Sequence, residues 1–108
     1  MKVEEVIKLI NEQDELYSLS YAEELLSKHG VEQVMYGLDP DKHRWYEIST
    51  DVYQCEDGFV GVTGLGTMFS DMMLPSDCDV HCFAEEYEPV QVVTYRRKSA
   101  SDLNCQTS

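Results

Sequence analysis

The sequence predicts an α+β domain: two N-terminal helices packed on one face of a mostly antiparallel sheet of four or so strands. Three observations carry this expectation. Apolar residues recur with a 3.6-residue period near the start, and after residue 43 the pattern changes to aromatic and β-branched runs. Between two such runs, Asp57-Gly58 supplies a hairpin turn.

The first helix is expected over 3–12, because Val3, Val6, Ile7 and Ile10 fall on one stripe and the polar run 11–15 ends it. A capping box of Ser20 and Glu23 starts the second, whose inward stripe is Ala22, Leu25, Leu26 and His29. Lys28 and His29 suit the negative end of that helix dipole, and Gly30 supplies a left-handed stop. Residues 31–36 fit either a short strand or a further helical turn, and Gly37 to Asp41 reads as a turn. WYEISTDVYQ and FVGVTGLGTMF form the hairpin around Asp57-Gly58. Residues 70–79 connect to a short strand at 80–84, then an acidic turn, then a last strand over 90–98.

A length of 108 residues with 43% apolar and 27% charged composition fits one domain, expected over 1–98, with 99–108 as a flexible C-terminal tail. No apolar stretch approaches the ~20 residues that span a bilayer. Glu4 and Glu5 stand where a secretion signal would be basic, so the expected location is cytoplasmic. In a reducing compartment Cys55, Cys78, Cys82 and Cys105 are read as thiols rather than as a disulfide framework.

The formal charge is −13, from 8 basic and 21 acidic residues. That field repels phosphates and anionic lipid, which argues against direct binding to nucleic acid or membrane. Within 43–89, ten acids (Glu47, Asp51, Glu56, Asp57, Asp71, Asp77, Asp79, Glu85, Glu86, Glu88) accompany one base, Arg44. The ten are the candidate surface for a partner with a basic face. Arg96, Arg97 and Lys98 then form a small basic cluster.

Two further constellations compete with that surface. A two-residue loop at Asp57-Gly58 would pair Glu56 with Phe59 and run the register back in strict opposition. Tyr46, Ile48, Thr50 and Val52 would then share one, mostly apolar face with Thr63, Leu65, Thr67 and Phe69, expected to be the core under the helices. On the opposite face Gly64 and Gly66 would bare a strip floored by Asp51 and Ser49 and walled by Trp45 with Met68 and by Tyr53 with Val62. Such a strip suits a small ligand or a partner's side chain. The alternative reading is architectural: glycines in strands mark twist, a bulge or a close backbone approach. A bulge near Ser49 would also swap the faces beyond it. GVTGLG matches neither the dinucleotide fingerprint nor a P-loop.

The second constellation is Cys55, Cys78 and Cys82, of which Cys78 and Cys82 have zinc-ligand spacing but lack a second close-spaced pair. Buried thiols are the competing reading. Cys78, between two aspartates, is expected to have a raised pKa, the wrong direction for a nucleophile. The Met68, Met72 and Met73 group is either core filling or an adaptable contact surface. No nucleophile elbow or oriented Cys–His pair marks a catalytic centre.

The expectation is a small acidic interaction protein without catalytic activity and with no cofactor implied. Its sharpest form is an inhibitor that mimics nucleic acid and blocks a basic, nucleic-acid-binding enzyme. The alternative is a small-ligand- or metal-binding module using the Gly64/Gly66 strip or the three cysteines.

Overall fold

A computed structural model describes residues 1–69, 74–78, 80–90 and 95. It is an α+β fold in the order α1 (Val3–Asn11), α2 (Leu19–Lys28), β1 (Glu32–Lys42), β2 (Tyr46–Gln54), β3 (Phe59–Met68) and β4 (Phe83–Tyr87). The four strands form one antiparallel sheet in sequential order, β1-β2-β3-β4. A 3₁₀ turn, Pro75–Cys78, precedes β4. No helix among the described residues is long and apolar enough to cross a membrane.

Helix α1 forms where its apolar stripe predicts, burying Val3, Val6 and Ile10. Its N-terminus is satisfied from the β2–β3 loop: the Asp57 carboxylate accepts from the Val3 N–H at 2.8 Å, and Glu56 pairs with the N-terminal ammonium at 3.1 Å. Negative charge at the positive end of a helix dipole stabilises it. The second helix starts earlier than expected. Ser18, not Ser20, is its cap, with the Ser18 hydroxyl accepting from the Ser20 N–H at 3.3 Å. His29 is exposed beyond the helix rather than on the inward stripe, and Gly30 takes the left-handed φ of +75°.

The sheet departs from expectation in three places. Residues 37–41 continue β1 instead of turning the chain. Three register irregularities along β1–β2 absorb the left-handed φ of Gly37 (+70°) and Asp39 (+49°), so the strand kinks and resumes. The hairpin loop holds four residues, Cys55 to Gly58, closed by the Cys55 N–H donating to the Gly58 carbonyl at 2.8 Å. Gln54 therefore faces Phe59, and the pairing is shifted by two residues: Asp51 opposes Val62 and Ser49 opposes Gly64. Last, residues 84–87 are strand, not an acidic turn. They pair with β3, and Asn11 of α1 clamps Ala84, accepting from its N–H (2.8 Å) and donating to its carbonyl (3.3 Å). Most of the strand expected over 90–98, the tail 99–108 and the basic cluster Arg96, Arg97 and Lys98 lie outside the described residues.

A shift of two keeps each strand's alternation, but the core lies on the opposite face from the one expected. Val3, Val6, Ile10, Leu16, Leu19, Ala22 and Leu26 share one buried cluster with Tyr53, Val60, Val62, Cys82 and Ala84. Tyr53, Val60 and Val62 belong to the face of Ser49, Asp51 and Gly64. Each fully buried aliphatic side chain in this cluster contributes about 1.5–3 kcal/mol. The other face carries Thr50 and Thr63, whose hydroxyls bond across the strands at 2.7 Å.

Candidate functional site

The face reversal decides what the glycines do. The segment Leu16–Ser18 runs beside β3 past the end of β4: the Leu65 N–H donates to the Tyr17 carbonyl (3.1 Å) and the Cys82 N–H to the Leu16 carbonyl (2.7 Å). Gly64 lies under this crossing. A Cβ there would stand 2.5 Å from the Cys82 Sγ and 3.2 Å from the Tyr17 carbonyl oxygen. Gly64 is a close-packing position and not open floor. Gly61 is covered by the Tyr87 ring.

Gly66 is different. It is the extra residue of a bulge, lying between Leu65, opposite Ile48, and Thr67, opposite Glu47. It is exposed, and a Cβ on it would come 2.7 Å from the Ser49 Oγ. Here the strip survives in part, as one end of a groove of about 520 Å³ between α2 and strands β1, β2 and β3. Asp51, Ser49 and Glu47 line it from β2, Gly66 and Thr67 from β3, Glu23 and Ser20 from α2, and Gln33, Tyr36 and Gly37 from β1. Trp45, Tyr53 and Gly64 are not part of it: Trp45 is exposed at the β1–β2 turn, and Tyr53 is in the core.

Asp51 is the unusual member. It is only 8% exposed, and its Oδ1 accepts from the Gly37 N–H at 3.1 Å, a donor made available by the kink in β1. Burial pushes its pKa above the usual carboxylate value, the Gly37 hydrogen bond opposes this, and the Glu23 charge adds to it. Among the described residues no base pairs with Asp51; the two ion pairs found there are Glu56 with the N-terminus and Asp41 with His43. Ser49 is 6% exposed. The Tyr53 hydroxyl is fully buried without a partner among the described residues, its pKa raised by burial and then by the charges of Asp51 and Glu23.

The remaining candidate acids are distributed around the fold. Glu56 and Asp57 serve the start of α1, and the Asp77 carboxylate accepts from the Leu74 N–H at 2.8 Å to cap the 3₁₀ turn. Glu85 and Glu86 are exposed on β4, the last of the described strands, with Glu88 just beyond it. Asp71 and Asp79 lie outside the described residues, as do Met72 and Met73.

The three cysteines are held apart. Cys55 closes the β2–β3 loop, Cys82 packs on Gly64, and Cys78 lies 4.0 Å from the Met68 sulfur. Among the described residues no three His, Cys, Asp or Glu side chains are grouped to hold a metal ion. Burial raises all three thiol pKa values, that of Cys82 to about 12, with Asp51 adding to it; Asp77 adds to the effect at Cys78.

Sequence reasoning reached Ser49, Asp51 and Gly66 as members of the strip, although by a pairing two residues out of register, and Glu47 only as one of the ten acids. It missed Glu23, Gln33, Tyr36 and Gly37, which enter the groove only because α2 and the kinked β1 fold over β2. The chain matches no protein-family model, no curated protein and no solved structure.

Proposed function

We propose that this is a non-catalytic binding domain whose groove beside α2 receives a cationic group, an ammonium or guanidinium, from a basic partner. In this reading both helices cover one face of the sheet, and the groove is the part of that face they leave open. The observation that carries the proposal is Asp51: a carboxylate at the groove floor, largely removed from water, with one backbone donor and no basic neighbour among the residues lining the groove. Burying a carboxylate without a counter-charge costs free energy, and a cation arriving in the groove removes that cost. Glu23 and Glu47 strengthen the negative potential, and Tyr36 offers an aromatic wall.

The broader form, a nucleic-acid mimic spread over all ten acids, has less support, because Glu56, Asp57 and Asp77 are engaged in local contacts. The test is a titration with arginine amide and with butylamine, followed by amide NMR. The expected result is saturable shifts at Gly37 and Gly66, lost in Asp51→Asn and kept in Glu86→Gln. Shifts spread evenly over the acidic surface, or unchanged by Asp51→Asn, would refute the groove as the site.

A further inference from the structure

The turn joining β1 and β2 is basic and aromatic in a chain with more than twice as many acids as bases. Lys42 Nζ lies 5.2 Å from the centre of the Phe69 ring, the Arg44 guanidinium carbon lies 4.6 Å from that of Trp45, and His43 stacks on Tyr46. Trp45 is 44% exposed. Asp39, Asp41 and Glu47 are close in sequence, yet among the described residues neither Lys42 nor Arg44 forms an ion pair. The two cations are held on aromatic surfaces and presented outward.

The same hairpin carries part of the groove. Leu38, next to Gly37 of the groove, pairs with Thr50 and Lys42 with Glu47, so groove and tip lie about 10 Å apart along β2. Cationic tip and anionic groove are thus two complementary surfaces on one element.

We infer that the groove's cation is supplied by a second copy of this chain: the hairpin tip of one protomer enters the groove of the other, and the exchange is reciprocal. The inference rests on the cation-accepting groove proposed above and names its partner. A two-fold axis beside the hairpin makes both contacts at once, which closes the assembly as a dimer. Arg44 reaches Glu23 and Asp51 of the other copy. Its planar guanidinium stacks on Tyr36, which is 81% exposed on the groove wall. Complementarity within the contact sets the geometry, while the net charge of each copy opposes association from a distance, so the dimer forms at physiological ionic strength and weakens at very low salt.

Charge exchange tests this directly. Arg44→Glu and Glu23→Arg both alter exposed side chains, and circular dichroism checks their folding. By sedimentation equilibrium the wild type is expected to dimerise, and each single variant to be monomeric. Each lost contact weakens binding about tenfold, and with two per dimer the dissociation constant rises about a hundredfold. Mixing the two variants restores the dimer, because the unaltered groove takes the unaltered tip and the reversed groove takes the reversed tip. A wild type that stays monomeric at millimolar concentration, a dimer indifferent to Arg44→Glu, or a mixture that fails to associate overturns the inference. Arginine amide titrated into the Arg44→Glu variant separates this from the underlying reading. Saturable shifts at Gly37 there, with a monomeric wild type, overturn the dimer alone; no shifts overturn both.

Discussion

Alanine at Gly64 distinguishes a close-packed crossing from an open strip. The added Cβ would sit 2.5 Å from the Cys82 Sγ, more than 1 Å inside a normal contact of about 4 Å, and 3.2 Å from the Tyr17 carbonyl oxygen. Neither neighbour retreats freely. The Tyr17 carbonyl is bonded to the Leu65 N–H, and the Cys82 backbone is anchored through its N–H to the Leu16 carbonyl, so the buried Sγ can yield only by turning about χ1 into packed surroundings. Overpacking costs about 1–3 kcal/mol, and these two tethers place Gly64→Ala toward the upper part of that range, about 2–3 kcal/mol. At about 4 °C or more per kcal/mol for a domain of this size, Tm falls by about 8 °C or more. Urea and thermal unfolding followed by circular dichroism measure it. Cys82→Ala removes the sulfur, so in that background the cost of Gly64→Ala drops to about 1 kcal/mol, the remainder set by the Tyr17 carbonyl; the coupling is then about 1–2 kcal/mol. Tolerance of Gly64→Ala within about 0.5 kcal/mol, or additivity with Cys82→Ala, would refute the packing argument and reinstate an open floor.

Two further perturbations test the polar side of the core. The pKa of Asp51 is raised in the folded protein, so the folded state binds its proton more readily than the unfolded chain. Stability from this group is therefore greatest below the ordinary value of 3.8 and is lost as pH rises through the folded pKa. Compared as monomers, in the Arg44→Glu background that removes the dimer contact, Asp51→Asn, which keeps an oxygen for the Gly37 N–H, is expected to equal or exceed the Tm of its Asp51 parent at pH 7, with its advantage shrinking toward pH 4. A Tm several degrees below that parent at pH 7 would contradict this. Tyr53→Phe deletes a buried hydroxyl that has no partner among the described residues while keeping the ring, so unfolding free energy is expected to stay within about 0.5 kcal/mol or rise. A loss above about 1 kcal/mol in urea melts would show that the hydroxyl is hydrogen-bonded.

Asp51 is where stability and the proposed binding part company. A buried carboxylate with no counter-cation among the described residues of its own chain weakens the monomer at neutral pH, and Asp51→Asn should relieve that while removing the groove's attraction for a cation. Asp57 and Glu56 behave oppositely, since their charges sit at the start of α1 and hold it. Acids from the same stretch of sequence thus divide into supports of the fold and candidates for recognition.

Some of this was legible in the residues alone. The stripe Val3, Val6, Ile10 has a single helical reading, Gly30 ends α2 with a left-handed turn, and Asp57-Gly58 lies in the loop of the β2–β3 hairpin. These are local matters of periodicity and backbone preference, set within a few residues. Which sheet face is the core was not local. Tyr46, Ile48, Thr50, Val52 and Leu65 look more apolar than a face bearing Ser49, Asp51, Gly64 and Gly66. The small residues win because Leu16–Ser18 and Cys82 come close enough to fill the space above Gly64, and because β1 kinks at Gly37 to hydrogen-bond Asp51. Residues 37–41 read as a turn for the same reason: only pairing with β2 holds this kinked stretch in the sheet. The sequence by itself determined the helices, the hairpin, the charge and the residue types available at the groove. Tertiary structure alone decided which carboxylate is withdrawn from water and which glycine is exposed, since burial depends on segments far apart along the chain.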